Sequence, residues 1–244
     1  AYFTFYCSRK QLKSYIDKLL PEFSEGINGD IKVEIYAFNI QTKESKRIYS
    51  ETSYGLGIKS LNTYGGNTYF IKMNVSKDDN DLYSISSDGL YQIQDNDVKC
   101  VITDNIYGYC IDSKMHNLYY SRLDDTGIYM YNTDSCESVK IFEDPEGSQC
   151  FTLTYDGEYI WLDDTIYKDA AKYFNKQSQT LNYTIYQLSK DGELIARRVL
   201  DDDEKIFAIM HGDKTRMFMF SLKKDAIIYI DKSDIANGDI KEFR

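Results

Sequence analysis

The sequence predicts an all-β fold, a β-propeller of about five four-stranded blades with two short helical insertions. Three observations predict it. Tyrosine and phenylalanine number 23 and 12 in 244 residues, and aromatic side chains suit half-buried pleated surfaces. Short runs with period-two alternation recur, divided by turn residues. The runs also repeat as a set. An aromatic second strand at Leu118–Tyr120 returns at Tyr159–Trp161, about 41 residues on, which suits one propeller blade.

The clearest copy is Ile106–Asp144, read as strands Tyr107–Asp112, Leu118–Leu123, Gly127–Asn132 and Ser138–Phe142. In the third strand Ile128 and Met130 face one way, Tyr129 and Tyr131 the other, as in a sheet packed on one or both faces. The next copy has one hairpin around Asp156-Gly157 and another around Asp191-Gly192. A further copy follows from Ile206 to Phe243. Upstream, residues 32–50 form a pair of third and fourth strands, preceded by a candidate second strand at Tyr2–Cys7.

Residues 57–103 admit two registers. Either Thr68–Asn74 is the second strand and an extra strand lies near Val98, or Leu82–Ser86 is second and residues 57–66 are left over. No amphipathic helix of ordinary length alternates with the strands, which argues against a parallel α/β sheet. Residues 1–244 read as a single propeller domain. It starts at a second strand and ends at a fourth, Ile240–Phe243, the pattern of a fragment or of one domain in a longer chain.

The segments "LYYSRLDD–GIYMYNTD" and "YIWLDD…IYQLSKDG" resemble the repeats of YWTD-type propellers and of related Firmicutes-type propeller domains of unknown function. The resemblance spans about 180 residues across the repeats and keeps the tryptophan only at Trp161. It implies a binding scaffold and carries over no catalytic residue.

Two helical segments interrupt the repeats. Residues 8–23 place Leu12, Tyr15, Ile16, Leu19 and Phe23 on one stripe, with Ser8 as N-cap and Pro21 at the end. Lys168–Gln177 is a shorter version carrying Tyr173 and Phe174. Both fall between the second and third strands of their units, on the face that also holds the connections between blades. Rigid scaffolds carry their functional loops in such places. The candidate ligand-binding residues are therefore Trp161, Asp163, Asp164, Tyr173 and Phe174. Packing between blades is the alternative role for Trp161, and capping of the channel the alternative for the helices.

A formal charge of −10 disfavours nucleic acid and anionic membrane surfaces. No apolar run reaches the ~20 residues of a membrane span. Acidic residues gather on the connections, at Asp104, Glu143, Asp144, Glu146 and Asp201–Glu204. With the aromatics nearby they suit a protein or peptide partner, a basic one included, or a glycan stacked on a ring. Asp is also the ordinary residue of turns.

No catalytic constellation, cofactor motif or metal site emerges. His116 and His211 read as exposed turn residues, and Asp78–Asp81 and Asp95–Asp97 lack the spacing of a calcium loop. Paired carboxylates would allow a glycan-hydrolysing propeller as the alternative to a non-catalytic scaffold. Five cysteines, Cys7, Cys100, Cys110, Cys136 and Cys150, show no zinc spacing. They read as free, mostly buried thiols of a reducing, cytoplasmic setting, with one disulfide and an extracellular setting as the alternative.

Overall fold

A computed structural model describes residues 31–53, 57–77, 83–112, 114, 116–149, 151–164, 183–200, 206–221 and 224–243. The segments expected to be helical, 8–23 and 168–177, and the candidate strand Tyr2–Cys7 lie outside them. The chain divides into two compact units, Ala1–Asp104 and Asn105–Arg244.

In the first unit, β1 (Ile31–Phe38) and β2 (Ser45–Ser53) form an antiparallel hairpin. The Asn39 side chain closes it by accepting the backbone N–H groups of Gln41 and Thr42. A four-stranded antiparallel sheet follows: β3 (Gly57–Tyr64), β4 (Asn67–Lys77), β5 (Tyr83–Gln94) and β6 (Asp97–Ile102). Ile35, Phe70 and Ile93 form its core, with the Phe70 and Tyr91 rings stacked at 5.6 Å.

This sheet decides the register. Thr68–Asn74 lies in the second strand, residues 57–64 are the first, and the strand near Val98 is the fourth rather than an extra one. Asp88-Gly89 resembles a turn but sits inside β5. Gly89 has φ +123, its Cβ position would overlap the Ile102 carbonyl, and the strand pairing shifts on both sides of it. It is a bulge that bends one long strand. The acidic run at Asp95-Asn96 is the β5–β6 turn, both residues having positive φ (51 and 71).

The second unit holds three four-stranded antiparallel sheets. They are β7 (Ile106–Asp112), β8 (Asn117–Arg122), β9 (Gly127–Asn132) and β10 (Glu137–Glu143); β11 (Thr152–Tyr155), β12 (Tyr159–Asp163), β13 (Tyr183–Ser189) and β14 (Leu194–Leu200); and β15 (Ile206–Gly212), β16 (Arg216–Ser221), β17 (Ala226–Asp231) and β18 (Lys241–Glu242). Strand β11 lies against both β7 and β15, so the first strands of successive sheets are neighbours.

The middle sheet is covered on both faces, and the period-two pattern explains how. Ile160, Leu162, Tyr186 and Leu188 pack with Tyr119 and Ile128 of the preceding sheet. Trp161, Tyr183 and Ile185, on the opposite face, pack with Met217, Met219 and Ile228 of the following one. Strands β8 and β13, the second and third of their sheets, are almost continuously buried, whereas fourth strands such as β10 are mainly exposed.

The turns repeat as well as the strands. Between first and second strands, Asp112, Asp156 and Asp213 each direct Oδ1 at backbone N–H groups two or three residues on, at 2.7–2.9 Å. Between third and fourth strands the Asn39 and Asn132 side chains likewise accept N–H groups two and three residues on, and the Ser189 hydroxyl accepts those of Asp191 and Glu193. These are Asx-type turns and their serine counterpart.

The cysteines depart from expectation. Of the three described, Cys100 and Cys136 are exposed, and only Cys110 is buried; all three are free. Cys100 sits on an outer strand and Cys136 in a turn at φ 59. Burial pushes the Cys110 thiol far above its usual range.

Candidate functional site

The sheet ends that carry the inter-sheet connections hold a buried polar network. Asp144 follows β10, and its Oδ2 accepts the Ser148 N–H at 2.7 Å while its Oδ1 accepts the Tyr186 hydroxyl at 2.8 Å. Asp164 follows β12, and its Oδ1 accepts the Thr184 N–H at 2.8 Å. The Ser148 hydroxyl donates to Asp164 Oδ2 at 3.1 Å and so joins the two carboxylates. Both aspartates are buried, at 3% and 0% exposure. Burial of a carboxylate is costly unless donors surround it, and here the donors come from two separate segments, the connection at Ser148 and strand β13.

The candidate residues divide accordingly. Asp163 and Asp164 are buried on and just beyond the end of β12, and Asp164 holds the two ends of the connection 164–182 together. Trp161 is fully buried, and its indole N–H donates to Asp156 Oδ2 at 2.7 Å, at the opposite end of the β11–β12 hairpin. This position is one of packing between sheets, the alternative role for Trp161. Tyr173 and Phe174 lie outside the described residues. Ser148, Thr184 and Tyr186 went unnoticed in the sequence, although a Ser four residues after a connection Asp is the spacing such a turn needs. The Asp144–Asp164 pair has its oxygens occupied by framework donors, which suits holding the loops rather than acid–base work.

Three phenols, Tyr186 of this network and Tyr119 and Tyr155 near Asp112, carry a pH consequence. The Tyr186 hydroxyl is pushed well above the usual range by burial first, then by its hydrogen bond to Asp144. Burial and then Asp112 act likewise on Tyr155. Tyr119 is pushed up to about 12, chiefly by burial. A raised folded pKa gives stability that is complete below the unfolded value of ~10 and is lost as pH rises through the folded one. Alkaline titration should therefore show ionisation of these three, followed at 295 nm, coinciding with loss of the β-sheet circular dichroism signal. Ionisation with the sheet intact would contradict it.

His116 is an exposed turn residue, with Nδ1 3.1 Å from Asp134 Oδ1. Among the described residues no cluster of three or more His, Cys, Asp or Glu could hold a metal, and no helix is long and apolar enough to cross a membrane.

No family model matches the sequence, and no curated protein matches it at significant similarity. Solved structures do. A putative 6-phosphogluconolactonase from Bacteroides uniformis matches with TM-score 0.52 and 12% identity over 86% of this chain and 63% of its own. A streptogramin B lyase matches at 0.51 and 14%, over 86% and 61%. An auxiliary nutrient binding protein from Bacteroides ovatus matches at 0.50 and 8%, over 86% and 54%. The chain thus spans 54–63% of the length of these neighbours. Likeness at such identities shows the fold alone, and that fold is an all-β scaffold of propeller type built from four-stranded antiparallel sheets.

Proposed function

We propose that this chain is a non-catalytic ligand-binding scaffold, a propeller of about five blades with β1–β2 as the third and fourth strands of one. The observation that carries the proposal is the connection between β12 and β13. These two strands are hydrogen-bonded neighbours, and about 2–5 residues suffice to join such a pair. Here residues 164–182 lie between the end of β12 and the start of β13, and Asp164 joins the two ends through the Thr184 N–H. A long insertion held on a rigid base is the usual form of a binding loop.

In this reading Asp163 and Asp164 support the loop, and Tyr173 and Phe174 supply the contacts. The partner is a protein or peptide, a basic one included, or a glycan. That a nutrient binding protein shares the fold is compatible with it.

The test uses a glycan array and a basic-peptide array probed with wild type, Tyr173→Ala and Phe174→Ala. Features bound by wild type should lose about tenfold or more in signal with either variant, as expected when an aromatic hot spot is truncated. Melting temperatures should stay unchanged. Equal signals across the three proteins would remove the site.

A further inference from the structure

Three first-to-second-strand turns in the second unit share an aspartate whose Oδ1 caps the turn, and they differ in what meets Oδ2. At Asp156 it is the indole N–H of Trp161 and the ammonium of Lys232. At Asp213 it is the Arg216 guanidinium, with Nε at 2.8 Å and Nη2 at 2.6 Å. At Asp112, Oδ1 accepts the Lys114 N–H at 2.9 Å, and Oδ2 has no hydrogen-bond partner among the described residues. Yet Asp112 is 1% exposed, more buried than Asp213. A charge removed from water and left without a donor is the costly arrangement, and two related turns avoid it with a cation.

Asp112 forms part of the lining of a cleft of about 440 Å³. Tyr155, Glu158 and Tyr159 of the next hairpin and Asp191 of the β13–β14 turn form other walls. Lys114 and Lys190 also border it, but both extend into solvent. The Tyr155 hydroxyl lies near Asp112 and is kept protonated by burial first and then by the Asp112 charge, but no hydrogen bond from it reaches Oδ2. Two phenol rings, a buried carboxylate oxygen that accepts no hydrogen bond and two rim carboxylates make a cation receptor.

We infer that this cleft binds an organic cation bearing N–H donors, an alkylammonium group, which takes at Asp112 the place that Lys232 and Arg216 take at the other two turns. The inference is independent of the loop at 164–182, because the cleft is bordered by the hairpin turns at the other end of the strands.

The test titrates the protein with n-butylammonium chloride and with n-butanol as the uncharged counterpart, followed by NMR. A peptide, acetyl-Gly-Lys-Gly-amide, presents the same ammonium on a chain. Butylammonium should bind with roughly millimolar affinity and shift the Tyr155 and Tyr159 ring signals, with n-butanol at least about tenfold weaker. Tighter binding of the peptide would identify a lysine side chain as the natural source, and equal binding a free amine. Asp112→Asn keeps an oxygen for the Lys114 N–H and removes the charge, so it should lower ammonium affinity about tenfold or more. Equal binding of n-butanol, unchanged affinity in a folded Asp112→Asn protein, or unmoved Tyr155 and Tyr159 signals in wild type would each overturn the inference. The ring signals in wild type stand whether or not the variant folds.

Discussion

Replacing Asp156 by Ala should destabilise the protein by about 3–5 kcal/mol, the range for removing one partner of a buried ion pair. The Asp156 side chain is 0% exposed and that of its partner Lys232 only 8%. Its Oδ1 accepts the N–H groups of Glu158 and Tyr159, and its Oδ2 accepts the indole N–H and the Lys232 ammonium. Deletion leaves an ammonium without a counter-charge and an indole N–H without an acceptor in the cluster around Trp161. Adding Lys232→Met to Asp156→Ala should recover part of the loss, since an apolar side chain of similar length carries no charge to strand.

The pH dependence supplies a second sign. Burial pushes the Asp156 carboxyl up, but Lys232, the Tyr159 N–H and the indole together hold it below the ordinary carboxylate range. A lowered folded pKa gives stability that is present above the unfolded value of ~3.9 and disappears as pH falls through the folded one. Urea denaturation followed by the fluorescence of the single tryptophan should therefore show a shallower acid limb in the variant than in wild type. A loss under about 1 kcal/mol, the worth of an exposed ion pair, would contradict the buried description.

The second large effect is expected at Gly192, in the β13–β14 turn. Its φ is +90, and a Cβ there would overlap the carbonyl oxygen of Ile141 on β10. Gly157 isolates the first of these terms, with φ +96 and nothing within 4 Å of a Cβ. Gly157→Ala should cost about 1–2 kcal/mol from backbone strain alone. Gly192→Ala should cost a further 1–3 kcal/mol or so, because the obstructing atom is backbone and cannot rotate away. Equal losses in the two variants, measured by chemical denaturation, would mean that the approach to Ile141 is not tight.

Much of the strand pattern was legible in the sequence, for a physical reason. In the segment Ile106–Asp144, alternation and turn residues agree, so the expected strands and the observed β7–β10 differ by one residue or so at their ends. Around Asp88-Gly89 the local turn chemistry conflicts with the pairing. The conflict is resolved only by neighbouring strands β4 and β6, which sequence reading cannot see. The site was less legible. Asp163 and Asp164 were singled out as acidic residues next to aromatics, but whether a carboxylate faces solvent or a set of donors depends on Ser148 and Thr184. The turn aspartates carried a readable signal, an Asp closing each first strand of the second unit. What distinguishes Asp112 from Asp156 is that no described residue partners it as Lys232, far off in the chain, partners Asp156.

The two-sided burial of the β11–β14 sheet means that the unit of sequence repetition and the unit of folding are out of phase. A repeat spans one sheet, yet each apolar cluster lies between two sheets and draws on both. Cutting the chain at a repeat boundary, such as the connection after Leu200, would divide a cluster and leave Trp161, Tyr183 and Ile185 facing water. A shorter version of this protein that keeps a sealed interior must therefore be cut through the repeats rather than between them. Alternatively, it must supply a polar outer surface to the last sheet retained.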